Sequence, residues 1–332
     1  MLSAQTEENI DIWEIAMQNF KLIDTHCDTA FELWHKGEEI DKNSCHIDLD
    51  RASGYPSYAQ FFAIWANRRR SDDETFDDFL NVSDNLSKQI NLHSDKISAV
   101  TTFNEMKAAW MSNKCAAFLA VEDARILGGK IERLDILKAR GVKYMTMMWG
   151  GKTCIGSSHD VDGGLTDFGR EIVHKCFEYG IVPDVSHSNE QTTEEISQIA
   201  FEHKKPFIAS HSNSYSLFPH TRNLRNKHLD DIIVRGGIVG ISLCPYHIKD
   251  MSDGICTVSD IVAHIERYLE LGAENVLGLG CDLDGTDLPQ GFNGIQDLYK
   301  IADELARLGY SNELIEKIFY RNFYDFIKNN FN

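Results

Sequence analysis

No run of apolar residues in this chain approaches the roughly 20 needed to cross a bilayer, so a membrane-spanning helix is not expected. Positive charge is also scarce. The 33 Lys and Arg stand against 51 Asp and Glu, a net charge of −18. Nucleic acids and anionic membranes are bound through surplus Lys and Arg, so neither is an expected partner. The first twenty residues carry Glu7, Glu8, Asp11 and Glu14 without an early basic cluster, which excludes a signal-peptide reading. Residues 325–332 lack the hydrophobic tail of a lipid-anchor signal. No Cys-x-x-Cys occurs among the cysteines at 27, 45, 115, 154, 176, 244, 256 and 281. Reduced thiols are therefore expected rather than a disulfide framework, and the expected compartment is the cytoplasm. No internal repeat and no proline- or serine-rich linker divides the 332 residues.

Eight short apolar runs are present, at 21–28, 60–66, 116–122, 142–149, 181–187, 205–211, 237–243 and 276–282. Helical patterning fills most of the gaps, including 72–114, 167–179, 295–308 and 312–328. Ile10, Trp13, Ala16, Met17 and Phe20 are spaced as the apolar face of an N-terminal helix over 1–20. This order predicts a single α/β domain, a (β/α)8 TIM-type barrel over about 21–328 with the N-terminal helix beside or under it. Gly278 and Gly280 suit a crowded barrel interior. A doubly wound sheet would want a glycine-rich phosphate turn after its first strand, and Asp24-Thr-His-Cys-Asp28 stands there instead.

A barrel of this class carries its chemistry at the C-terminal ends of its strands. Those ends hold His26, Asp28, Glu122, Trp149, His187, His211 and Asp282. On an extended backbone His26 and Asp28 point to one face. A single strand-end histidine is commonly a structural hydrogen-bonder, and Ser188 with Gln191 has the form of a capping box. Five strands offering metal-ligand types on one rim are harder to dismiss. Three histidines with their carboxylates exceed the needs of one tetrahedral zinc, so two metals are expected, with Glu122 able to bridge a pair about 3.5–4 Å apart. Such a pair holds a hydroxide and polarises a carbonyl, and Asp282 can take the proton of the attacking water.

Asp24-Thr-His-Cys-Asp28, the Val121-Glu122 strand end, Asp184-Val-Ser-His187, Ala209-Ser-His-Ser-Asn213, Thr221-Arg-Asn223 and Gly280-Cys-Asp-Leu-Asp-Gly285 together resemble the membrane (renal) dipeptidase family of zinc peptidases. The resemblance runs in order over about residues 21–325. It implies an amidohydrolase-type barrel with two zinc ions that hydrolyses dipeptides, including those with a D-residue on the C-terminal side. It further implies that His26, Asp28 and Glu122 hold one zinc and Glu122, His187 and His211 the other. Asp282 would be the catalytic acid/base, and Arg222 would bind the substrate's free carboxylate.

Two positions depart from the family. Mammalian members have a histidine where Trp149 stands, and Trp149-Gly-Gly151 looks more like a bacterial branch. Cys244-Pro-Tyr246 follows the seventh strand, with Tyr246 the stand-in for a displaced aromatic. The implied partner is a small dipeptide-like molecule, and a homodimer is left open. One rival is another amidohydrolase, acting on a small amide, lactone or phosphoester. Many of those bridge their metals with a carboxylated lysine at the end of the fourth strand, where Met148 and Trp149 stand here. The other rival is a metal-bearing barrel without turnover, against which every expected metal and acid/base position is filled.

Overall fold

The computed structural model describes residues 20–332, so the helix expected over 1–20 lies outside the described residues. Eight strands form: β1 (Leu22–Cys27), β2 (Tyr58–Trp65), β3 (Ile97–Ala99), β4 (Cys115–Glu122), β5 (Val142–Thr146), β6 (Val182–Asp184), β7 (Val239–Ile241) and β8 (Leu277–Leu279). Every ladder is parallel, in the order β6-β5-β4-β2-β1-β8-β7. Parallel bridges from Asp184 to Ile208 and from Ala209 to Val239 close this path into a ring. The ring therefore has eight members, one of them a segment too irregular to be a strand.

β1 is buried along its whole length, which is why it reads as an apolar run and not as an alternation. The helices supply the outer cover. Asp72–Leu92 starts in a full capping box, Ser71 with Glu74, and buries Phe76, Phe79, Val82, Leu86 and Ile90 on one stripe. Asp167–Tyr179 ends at Gly180, whose φ of 72° is the left-handed cap that glycine adopts freely.

Inside the ring, Ile23, Phe61, Phe118 and Tyr144 belong to an apolar cluster that continues into Phe323, Phe326 and Phe331. Phe331 lies 5.9 Å from Phe118, ring to ring. Lys143, at the start of its strand, touches the same region, sitting over Phe331. The last helix, Asn322–Asn330, thus stops the N-terminal mouth of the barrel. Only the other mouth is free to carry a site.

Two glycines let that mouth be built. A Cβ on Gly280 would fall 1.8 Å from the Ser210 carbonyl oxygen and 2.7 Å from Thr25 Oγ1, and one on Gly240 would fall 2.0 Å and 2.8 Å from the same atoms. Without those side chains, Thr25 Oγ1 reaches across the interior and donates to Ser210 O at 2.6 Å.

The observed elements differ from the expected ones in several places. The sixth run, 205–211, makes only the two bridges, because Ser210 and its neighbours spend their polar groups on side-chain partners. The fourth, fifth, seventh and eighth strands are shorter than expected; beyond the fifth and eighth, His187 and Asp282 adopt φ of 67° and 59°, which no ladder accommodates. β3 interrupts the helical stretch 72–114; it is three residues long and pairs only with the start of β4, from Ile97↔Cys115 to Ala99↔Ala117. The helix after His187 is capped by Asn189, whose side chain accepts from Thr192 N. Ser188 Oγ is left buried and unpartnered.

A methyl group has nowhere to go at position 280. Gly280→Ala is expected to cost about 2 kcal/mol or more of unfolding free energy, in the range of overpacked cores. Urea titration of both proteins measures it, and an unchanged midpoint would contradict the crowding.

Candidate metal centre

The ligand candidates come from the rim ends of β1, β4, β6, β8 and the sixth segment. His26 is the penultimate residue of β1, and Asp28, with φ −99° and ψ 9°, has already left the strand to cap the helix Thr29–Lys36. The two still converge, but through this turn and not through an extended His-x-Asp: His26 Nε2 lies 3.7 Å from Asp28 Oδ2. Glu122 is the last residue of β4. Its Oε1 lies 3.6 Å from Nε2 of His26, 3.0 Å from that of His187 and 3.3 Å from that of His211. Asp282 Oδ1 stands 3.9 Å from His26 Nε2. The left-handed backbone of His187 and Asp282 is uncommon outside glycine and is held here by the surrounding rim.

The orientation of the imidazoles can be worked out from their outer partners. Tyr144 Oη donates its one hydrogen to Thr25 O at 2.7 Å. Toward His26 Nδ1, 2.8 Å away, it must therefore accept. His26 Nε2, on the other side of the ring, is aimed at three carboxylates and has no hydrogen-bond partner. The same logic holds for His211. Ser210 Oγ donates to Asp184 Oδ2 at 2.5 Å and accepts from His211 Nδ1 at 2.8 Å. The lone pair of His211 Nε2 then faces His187 Nε2 at 3.0 Å and Glu122. Oriented histidines of this kind, each fixed by a polar partner behind it, are typical of metal ligands.

Electrostatics points the same way. Burial works against a charge on His26, yet the carboxylates of Glu122, Asp28 and Asp282 outweigh it and push the imidazole up to about 10. Burial raises Glu122 well above the carboxylate range, with Asp28 adding to the shift. It pushes Asp282 up to about 7 against the pull of His26. His187 and His211 are driven toward the neutral, ligating form by burial first and by neighbouring positive groups second. Gly285 leaves the space between the acids open, since a Cβ there would fall 2.2 Å from Asp28 Oδ2 and 2.3 Å from Asp282 Oδ1. Ligand atoms of His26, Glu122 and His211, and again of His26, Asp28 and Asp282, lie within 4.8 Å of one another. Imidazole nitrogens and carboxylate oxygens in this number fit divalent cations of the zinc type.

Over these groups opens a pocket of about 320 Å3, lined by Trp65, Trp149, His187, His247 and Asp282 among others. Trp149 packs edge-on against Trp65 at 5.1 Å and lies 6.0 Å from the ring of His187. Arg222 faces a larger cavity of about 830 Å3 on the other side. It donates to His211 O at 2.9 Å and to Ser212 Oγ at 3.0 Å, and its Nε is unpartnered. The bigger cavity is not where the metal ligands sit; the chemistry belongs to the smaller. Tyr246 is 54% exposed and donates to Asp287 Oδ2 at 3.2 Å. It lines neither cavity, and its neighbour His247 faces the metal pocket in its place. Sequence reasoning missed Tyr144, Ser210, Asp184 and His247. Asp184 and Ser210 lay inside motifs read only for their histidines, and Tyr144 gave no signal at all.

A parallel eight-membered barrel whose C-terminal rim gathers three histidines and three carboxylates defines a metal-dependent hydrolase. The chain belongs to the membrane dipeptidase family, peptidase family M19, whose profile matches residues 12–330. Dipeptidase tcpJ of Claviceps purpurea is 27% identical over 83% of this chain and 67% of its own length. An uncharacterized dipeptidase of Schizosaccharomyces pombe is 26% identical over 91% of this chain and 80% of its own. Two solved structures share the fold. The dipeptidase AC, an M19 metallo peptidase, has a TM-score of 0.87 at 21% identity, covering 94% of this chain and 99% of that one. A metallo peptidase from Rhodobacter sphaeroides, liganded with a phosphinate mimic of the dipeptide L-Ala-D-Ala, has a TM-score of 0.86 at 20% identity with the same coverage. Among the described residues no helix is long and apolar enough to cross a membrane.

With its ring pushed up to about 10, His26 holds a proton at pH 7 in the ion-free protein, and a metal must expel it. Metal affinity is therefore expected to rise with pH from 7 toward 10. Calorimetric titration at pH 7 in two buffers of different ionisation enthalpy should report proton release; a binding heat that is the same in both contradicts it.

Proposed function

We propose that this chain hydrolyses dipeptides, including those with a D-residue at the C-terminal side, using two zinc ions. The observation that carries the reading is the single carboxylate of Glu122 within reach of all three imidazoles, with Asp28 and Asp282 beside it. His26, Asp28 and Glu122 would hold one ion, and Glu122, His187 and His211 the other. Bound there, the ions would supply a Lewis acid for the scissile carbonyl and an activated water.

The chain's own groups do the rest. Asp282, pushed up by burial to about 7, is matched to proton transfer near neutral pH. It can take a proton on the pocket side and return it to the leaving amine. Arg222 carries a buried guanidinium that, among the described residues, is bonded to one carbonyl and one hydroxyl, which suits it to a substrate carboxylate. Trp149 offers one donor where the mammalian histidine could offer or accept. With Trp65 and Phe31 it forms an aromatic wall that suits an apolar side chain on the N-terminal residue. The phosphinate dipeptide mimic held by the Rhodobacter sphaeroides protein, and the dipeptidase names of the curated relatives, support this substrate class.

Asp282→Asn keeps the shape but cannot carry the proton. Turnover is expected to fall by about 10²–10⁴ while metal analysis shows both ions retained; near-normal turnover with both ions bound removes Asp282 from the mechanism. Arg222→Met is expected to raise KM for free dipeptides by roughly tenfold or more, as loss of a hydrogen bond to a charged group does. A C-terminally amidated analogue should scarcely respond. Comparing kcat/KM for acid and amide decides the point, since an equal loss on both would make Arg222 structural.

A further inference from the structure

We propose a further divalent-cation site on the outer layer of the barrel, held by Glu194, His228 and Asp231. Glu194 lies on the helix Glu190–His203, and His228 and Asp231 lie on Asn226–Arg235. The latter two are three residues apart, so they share a helix face. One ligand atom from each of the three falls within 4.8 Å of the others.

The histidine is what separates this cluster from ordinary surface acids. His228 is 2% exposed, and neither Nδ1 nor Nε2 has a hydrogen-bond partner. An imidazole always presents at least one N–H, and leaving buried polar atoms unmet costs about 1–3 kcal/mol each. Two carboxylates lie just beyond its bonding range, within 4.8 Å, and a tetrahedral ion with bonds of about 2.0–2.2 Å, whose ligands stand roughly 3.4 Å apart, would be reached by a small inward rotation of the two carboxylate side chains. Burial keeps the ring neutral, and the attraction of Glu194 and Asp231 does not reverse this. Neutral imidazole is the ligating form.

The carboxylates are half committed. Glu194 Oε2 pairs with Lys227 Nζ, and Asp231 Oδ2 accepts from Ser197 Oγ at 2.9 Å. Each keeps a second oxygen with no protein hydrogen bond among the described residues. One nitrogen and two oxygens, completed by water, suit zinc or manganese over calcium or magnesium. The ammonium of Lys227 competes for Glu194, so the site is weaker than the centre on the rim. An ion there would tie together the helices that follow His187 and Arg222.

The test counts metal by difference and does not depend on how many ions the rim holds. Wild type, Glu194→Gln and Asp231→Asn, all at partly exposed positions, are equilibrated with increasing zinc and analysed for metal per chain. Wild type should take up one equivalent more than either variant, with dipeptide turnover the same in all three. Lys227→Met should fill the extra site at several-fold lower zinc. Equal metal content in wild type and both carboxylate variants at every zinc concentration overturns the proposal, as does a Lys227→Met titration that matches wild type. Loss of dipeptidase activity in all proteins alike would sink the functional reading and leave this count standing.

Discussion

The rim of this barrel is governed by unbalanced negative charge held out of water. Asp28, Glu122 and Asp282 meet within a few ångströms of one another around His26 Nε2. Charges buried without partners are costly enough to be neutralised or matched by a cation. In the ion-free protein the raised affinity of His26 and Glu122 for protons answers that need, and bound metal ions would answer it better. Much of the surrounding construction follows from keeping these groups together. Tyr144 and the Asp184–Ser210 pair fix the rings from behind, and Gly240 and Gly280 let the strand-poor sixth segment reach its place.

The strand-end chemistry was legible because burial makes strands read as apolar runs, so a His, Glu or Asp at the end of one stands out. The element boundaries were less legible, and for a related reason. Residues that point inward from a rim leave the ladder to do so, as His187 and Asp282 do with their left-handed backbones. Asp28 reaches the centre from the N-cap position of a helix and not from the strand expected for it. β3 escaped notice because three residues make no period. The supporting partners escaped because nothing local marks a tyrosine as the acceptor for a histidine over a hundred residues away. Tyr246 and His247 differ by one position, and only the turn of the short helix Pro245–Ile248 decides which faces the pocket.

The two cavities give the rim a direction. Aromatic rings and the metal ligands line one, while Arg222 lines the other with mostly polar neighbours. A substrate with an apolar end and an anionic end would lie across the ligands in one sense only. That asymmetry comes from loops, whereas the ligands come from strand ends, so substrate range and metal chemistry can vary separately on this scaffold.

The plug at the opposite mouth sets a condition on how the molecule is made. Phe331 rests on Phe118, and its carbonyl accepts from Phe103 N at 2.7 Å. The interior of a barrel half-emerged from the ribosome therefore stays open to water at its lower end until residues 322–331 are released. Contacts so distant in sequence slow folding and leave sticky surface exposed meanwhile. For this chain, closure of the lower mouth waits on residues more than two hundred positions beyond the strands they cover.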